Sequence, residues 1–209
     1  LGHGFAEIEG FDLLGSLAHC DKLLTERGKI ECATGVFMEI FDAPTESHER
    51  GQFPEDILSF CKDLPEFYSV VCMRNSGAQE FKRSNDLERA FATCSRLEGD
   101  FAKECSESMG ADFHFFFKGE VNSILNSCGE GPDDEVVGGC INGAIFSSLV
   151  SDPEGAHSIL LCKSAEERFQ KGCFSHLGEM ISGMYGGSKR QEFCAKLEGN
   201  QRSYCLGGS

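Results

Sequence analysis

The sequence contains no tryptophan and no Cys-x-x-Cys pair. Without that pair it lacks the usual signatures of zinc ribbons, iron–sulfur clusters, c-type haem attachment and thioredoxin-like redox sites. No apolar run approaches the roughly 18 residues that a membrane span needs. Lys and Arg number 19 against 34 Asp and Glu, a formal charge of −15. This charge argues against a nucleic acid or an anionic membrane as partner.

Twelve cysteines are the main feature that the sequence does have, and they fall into six pairs 11 or 12 positions apart. An even count at recurring spacing predicts a disulfide framework in an oxidising compartment: extracellular, cell-surface or periplasmic. Pairing within each unit uses every cysteine once. Pairing the second cysteine of each unit with the first cysteine of the following unit would leave Cys20 and Cys205 unpaired. The predicted bridges are Cys20–Cys32, Cys61–Cys72, Cys94–Cys105, Cys128–Cys140, Cys162–Cys173 and Cys194–Cys205.

The pairs repeat every 32 to 41 residues, a period typical of helical hairpins. Each first cysteine ends a short amphipathic stretch and each second lies inside a longer one. Helix-start patterns agree with this phasing at Asp152-Pro153, Ser164/Glu167, Ser188/Gln191 and Asn85/Glu88. The sequence therefore predicts an all-α, right-handed α-solenoid of about six helix-turn-helix repeats of ~33 residues, with one disulfide clamping each hairpin.

A glycine also follows each of the first five second cysteines, within the predicted second helix. The positions are Gly35, Gly77, Gly110, Gly143 and Gly178. Glycine inside a helix costs up to about 1 kcal/mol relative to alanine, so its recurrence predicts close helix–helix approach. Chance recurrence among 25 glycines is the alternative.

A longer period indicates a tandem duplication, with modules at 1–118 and 119–209 forming one continuous solenoid domain. Gly2 and Phe5 align with Gly110 and Phe113, so the segment from Leu1 matches the back half of a second helix. The segment around Cys205 matches the front half. We expect the C-terminal end of one chain to meet the Leu1 end of the next. The candidate self-association residues are Leu1, Gly2, Phe5, Leu206 and Gly207.

One segment, 43–53, adds about eight residues to the period between the first two units. Insertions in repeat arrays map to loops on one face, where binding often resides. A solvated linker without a role is the alternative.

The period of 32–34 residues resembles that of tetratricopeptide and Sel1-like repeats. The arrangement of one disulfide per hairpin is similar to secreted, cysteine-rich Sel1-like proteins. The resemblance implies an α-solenoid that serves as a scaffold for protein–protein interaction. The tetratricopeptide pattern of Trp, Leu-Gly, Tyr, Ala and Pro is absent, so no functional residue is transferred.

The titratable residues form no recognisable catalytic or metal-binding motif, and we predict no catalytic residue, cofactor or metal ligand. Asp112 and His114 are two positions apart and would not share a helix face, which favours a packing role for His114. The acidic turn 130–135 could hold a divalent cation. It lacks EF-hand spacing, and the helix dipole explains acidic residues before a helix.

Two classes of function remain open. The first is a secreted structural or interaction protein that self-assembles head to tail into a filament, because a heterologous contact generates an open chain unless it closes into a ring. The second is an extracellular enzyme or ligand-binding protein with a site in the solenoid groove or at 43–53. A module that binds a cationic protein is a third possibility, which predicts loss of binding at high salt.

Overall fold

The structure, a computed structural model, describes residues 1–42 and 54–207. Within these residues all regular secondary structure is α-helical, as predicted. The helices are α1 (Gly2–Ile8), α2 (Leu13–Cys20), α3 (Glu26–Asp42), α4 (Ile57–Lys62), α5 (Glu66–Ser84), α6 (Leu87–Ser95), α7 (Asp100–Phe116), α8 (Val121–Gly129), α9 (Asp134–Ser151), α10 (Ala156–Ser164), α11 (Glu167–Tyr185), α12 (Gly187–Cys194) and α13 (Gly199–Cys205). None of the described helices is long and apolar enough to cross a membrane.

Short and long helices alternate from α2 to α11, and each short helix is bridged to the helix that follows it. The predicted pairing is confirmed: Cys20–Cys32, Cys61–Cys72, Cys128–Cys140, Cys162–Cys173 and Cys194–Cys205 are disulfides. Cys94 and Cys105 are disulfide-bonded as well, and no cysteine is free. Six bridges of this kind favour an oxidising, extracellular compartment.

Acidic side chains begin many of the helices. A carboxylate just before the first turn accepts hydrogen bonds from the otherwise unpaired backbone N–H groups there. Asp12, Asp56, Asp86, Glu120 and Asp133 each accept such a bond.

Several of the helix starts predicted from the sequence are displaced. Asn85 ends α5 in the left-handed conformation, and its neighbour Asp86 caps α6. The residues before α11 and α12 are Glu166 and Gly186, rather than Ser164 and Ser188. Helix α10 begins after Gly155, not at Asp152-Pro153. At α6 the shift is by one residue, to an aspartate whose carboxylate accepts from the backbone N–H of Arg89.

The chain divides into two compact units, residues 1–97 and 98–209. In the first unit, Phe37 packs in a cluster with Leu17, Val36, Ile57 and Tyr68. In the second, Phe113 and Phe174 are among the largest fully buried side chains, with aliphatic residues of α8 to α11. Phenylalanine, leucine and isoleucine thus fill the core in place of tryptophan. The duplication boundary at 118/119 stays a prediction about the sequence repeat.

Glycines permit the close approach of parallel long helices in the second unit. Gly110 of α7 lies against the carbonyl oxygen of Cys140 in α9, and Gly143 of α9 lies against that of Glu107 in α7. A β-carbon at either glycine would overlap the facing carbonyl. The predicted role of these glycines in helix–helix contact is therefore confirmed.

Candidate functional site

The residues predicted to mediate self-association lie in or beside the first and last helices. Leu1 precedes α1 and is 82% exposed, and Leu206 follows α13 and is 43% exposed. Gly207 is exposed as well. Gly2 is buried, and Phe5 is half-buried. Only Leu1, Leu206 and Gly207 are therefore open to a partner, whereas Gly2 and Phe5 position α1 within its own chain.

Helix α1 contacts α3 in the same way that α7 contacts α9. Gly2 lies against the carbonyl oxygen of Cys32, just as Gly110 lies against that of Cys140. Both residues of the first contact are 108 positions before their counterparts in the second. The structure therefore reproduces the sequence repeat as a repeated helix–helix contact.

Helix α13 makes a related contact with α11, where Gly178 lies against the carbonyl oxygen of Cys205. Arg190 strengthens this end of the fold, since its Nε donates a hydrogen bond to the same oxygen at 2.8 Å. In the α11–α13 contact, the short helix α13 supplies the cysteine, as the first half of a long helix does. In the α1–α3 contact, the short helix α1 supplies the glycine, as the second half of a long helix does.

A second candidate site is a pocket of about 350 Å³ in the second unit. We call it the histidine pocket and define it by His114, Lys118, Ser148, Ser151, Asp152 and His157. It combines the last turn of α7, the end of α9 and the first turn of α10. The two imidazole rings meet edge to face, with centroids 5.3 Å apart.

The end of α7 sets up one side of this pocket. Gly119 N donates to the carbonyl oxygen of His114 at 2.8 Å, and Lys118 N donates to that of Phe115 at 3.1 Å. This pair of bonds is the Schellman arrangement, which needs a left-handed residue just after the helix; here that residue is Lys118, with φ +52°. Gly119 has φ +76° and lies close to the ring of His157, where a side chain would crowd the imidazole.

The hydrogen bonds fix the tautomer of His157 when the ring is neutral. Its Nε2 lies 2.5 Å from the carbonyl oxygen of Gly119, which can only accept, so Nε2 carries the proton. Nδ1 therefore accepts from the hydroxyl of Ser148 at 2.8 Å. The carboxylate of Asp152 accepts from the backbone N–H of His157 at 3.1 Å and does not touch the ring.

His114 is held differently. The hydroxyl of Ser151 donates to the carbonyl oxygen of Ser147 at 3.0 Å, so its oxygen accepts from Nε2 of His114 at 3.2 Å. Nδ1 then carries a lone pair, and this buried atom has no hydrogen-bond partner. Burial, and second the neighbouring His157, lower the pKa of His114.

The combination of serine, histidine and aspartate here does not form a catalytic triad. In a triad, the histidine takes the proton of the serine hydroxyl while the carboxylate orients the ring from its other nitrogen. Ser151 instead gives its proton to a backbone carbonyl, and Asp152 binds a backbone N–H. Ser148 does donate to His157 but is fully buried. We assign no nucleophile in this pocket; its chemistry is that of binding.

Sequence reasoning missed the histidine pocket. The sequence favours a packing role for His114, and the residue is only 8% exposed, but its ring also lines the pocket. His157 lies 43 positions away and carries no motif. The repeat is the one sequence feature that could have located the pocket, because one helical-hairpin period brings the ends of α7 and α9 together. The polar residues Ser148 and Ser151 at the end of the largely apolar α9 mark that junction.

Two other sequence predictions have different outcomes. In the acidic turn, Asp133 caps α9 by accepting from the N–H groups of Glu135 and Val136, each at 3.0 Å. This is the helix-start role that the dipole argument favours. Among the described residues no group of three or more His, Cys, Asp or Glu could hold a metal ion. The insertion 43–53 lies outside the described residues.

Comparison of the chain with family models, curated proteins and solved structures gives no match. The class supported by the fold is therefore an all-helical, repeat-like protein with six disulfides between paired helices. The resemblance to tetratricopeptide and Sel1-like repeats stays a prediction.

Proposed function

We propose that this chain is a structural and interaction repeat protein that assembles head to tail, with α13 of one copy against α1 of the next. Its setting is an oxidising compartment: extracellular, at the cell surface or periplasmic. The resulting contact is heterologous and propagates a right-handed solenoid into a filament, unless the rotation closes a ring.

The observation that carries this proposal is the continuity of α7. It runs without a break for 17 residues, with Cys105 in its first half and Gly110 in its second. Helix α13 corresponds to the first half, since Cys205 lies 100 positions after Cys105. Helix α1 corresponds to the second half, since Gly2 lies 108 positions before Gly110. Joined end to end between copies, α13 and α1 would reproduce α7.

Exposed apolar side chains at both helices support the same contact. Leu1, just before α1, is 82% exposed, and Leu206, just after α13, is 43% exposed. Burying such side chains contributes about 25 cal/mol per Å² of apolar surface removed from water. Because each copy carries a charge of −15, we expect association to strengthen as salt screens the repulsion.

The test is the mass of the full chain, with its disulfides intact, by sedimentation velocity at increasing protein concentration and at low and high salt. We expect mass to grow with both, and negative-stain images to show linear or ring-shaped particles. Leu1→Glu and Leu206→Glu should each abolish growth, because their counterparts in α7, Met109 and Ser106, are fully buried. Leu24→Glu, a control at a side chain fully exposed away from both ends, should not.

Mixing the variants tests the heterologous geometry itself. A Leu1→Glu copy keeps an intact C-terminal end, and a Leu206→Glu copy keeps an intact N-terminal end. An equimolar mixture should therefore form a dimer and stop there. A strictly monomeric wild-type chain at several concentrations, or equal loss in Leu24→Glu, would contradict the proposal.

A further inference from the structure

The histidine pocket carries an inference that does not depend on self-association. Two side chains of opposite charge line it, Lys118 and Asp152. Neither forms a salt bridge with another residue in the described part of the chain. Lys118 is exposed, and Asp152 is half-buried.

We propose that the histidine pocket binds a small zwitterion, a free α-amino acid with an apolar or aromatic side chain. The ligand carboxylate pairs with Lys118 Nζ, and its ammonium pairs with Asp152. A simple anion would meet the carboxylate of Asp152, and a simple amine would meet Lys118. Only a ligand with both charges gains at both positions, because charge-assisted hydrogen bonds contribute about twice as much as neutral ones.

The size and apolar wall of the pocket set the ligand class. A volume of about 350 Å³ is at the small end of ligand sites. Phe115 lines the pocket and leaves 61% of its surface exposed. An apolar ligand side chain laid against this ring would remove surface from both partners.

One atom of a lining residue, Nδ1 of His114, also lacks a hydrogen-bond donor. Nδ1 of His114 is shielded from water and has no partner, and leaving a buried acceptor unpaired costs about 1–3 kcal/mol. A ligand ammonium carries three donors, of which Asp152 needs one or two. In the proposed complex the imidazole turns so that Nδ1 accepts from the remaining donor. The orphaned nitrogen is thus a second reason for a cationic group in the ligand.

The experiment is titration of the full, disulfide-bonded chain by calorimetry and by amide NMR. The probes are L-phenylalanine and L-leucine, with N-acetyl-L-phenylalanine and phenethylamine as ligands that each lack one charge. We expect the amino acids to bind and to shift the amide signals of Lys118, Gly119 and His157. Each single-charge analogue should bind at least about tenfold more weakly.

Matched variants locate the site. Lys118→Met removes the ammonium, and Asp152→Asn removes the charge while keeping an oxygen for the backbone N–H of His157. Each should weaken binding at least about tenfold. Lys163→Met, at an exposed lysine of α10 outside the pocket, should leave it unchanged. No binding up to about 10 mM, equal binding of the analogues, or unchanged binding in both pocket variants would overturn the proposal.

Discussion

Gly110 of α7 packs directly on the carbonyl oxygen of Cys140 in α9, with no room for a β-carbon between them. Cys140 is also the second cysteine of its hairpin and is bridged to Cys128. One backbone position therefore serves two contacts, the disulfide within a hairpin and the glycine contact between successive long helices. This coupling makes the glycines as important to the repeat as the cysteines.

Replacing Gly110 with alanine should destabilise the fold, because the methyl group must displace backbone rather than a flexible side chain. We expect a loss of about 1–3 kcal/mol in the free energy of unfolding, measured by denaturant titration with the disulfides intact.

Gly138→Ala is the control for this prediction. Gly138 lies within α9, and no atom lies within 4 Å of where its β-carbon would be. The substitution should stabilise the fold by about 0.5–1 kcal/mol, the helix preference of alanine over glycine. Equal effects at the two positions would mean that the α7–α9 contact does not depend on a bare glycine.

Each disulfide closes a loop of 11 or 12 residues, which corresponds to about 2–3 kcal/mol in the chain-entropy model. The paired variant Cys162→Ala with Cys173→Ala should lower the free energy of unfolding by about that amount. The pair Cys128→Ala with Cys140→Ala should cost a similar amount if the hairpins are equivalent units. A loss confined to one pair would show that the repeats differ in their dependence on the bridge.

Asp133 tests whether the acidic turn caps a helix or binds a cation. Asp133→Ala should cost about 1 kcal/mol, within the 0.5–2 kcal/mol typical of an N-cap. Asp133→Asn should cost much less, because the amide oxygen still accepts from the N–H groups of Glu135 and Val136. The measurement is thermal or urea unfolding with and without Ca²⁺. Stabilisation by Ca²⁺ that is lost in both variants would favour the cation site instead.

The hairpins and their bridges were predictable because every unit contains the same information. Two cysteines at fixed spacing, an apolar period of a helix and a recurring glycine all pointed to one architecture. Gly110 and Gly143 illustrate this: a residue that is unfavourable within a helix recurs at the points where two backbones meet. Helix starts were less predictable. The pattern of Ser164 with Glu167 is one example, because α11 begins after Glu166 and no side chain caps it.

The histidine pocket could not be predicted in the same way, because it arises where the repeat differs from itself. Ala6 stands in α1 at the position equivalent to His114, 108 residues earlier. The α1–α3 contact therefore has no counterpart to this imidazole. The period identified the neighbouring helix ends, but the hydrogen-bond partners of His114 and His157 follow from side-chain orientation, which the period does not determine.

The buried imidazole of His114 should make the fold sensitive to mild acid. Its pKa is lowered from the ordinary value of 6.5 by burial and by His157, so the folded state binds this proton less readily than the unfolded state does. The resulting stability is fully present above pH 6.5 and is lost as pH falls through the lower, folded-state pKa. His176, whose pKa burial also lowers, contributes with the same sign.

Urea unfolding between pH 7.5 and 4.5 measures this dependence, and NMR titration of the imidazole C–H signals assigns it to individual residues. The His114→Gln variant should show a shallower loss of stability below pH 6.5 than the wild type, and adding His176→Gln should reduce the loss further. An NMR pKa for His114 at or above 6.5, or an unchanged slope in the single variant, would contradict the assignment. A raised pKa would mean that Nδ1 has a hydrogen-bond acceptor in solution, since only a paired proton is stable at that buried position.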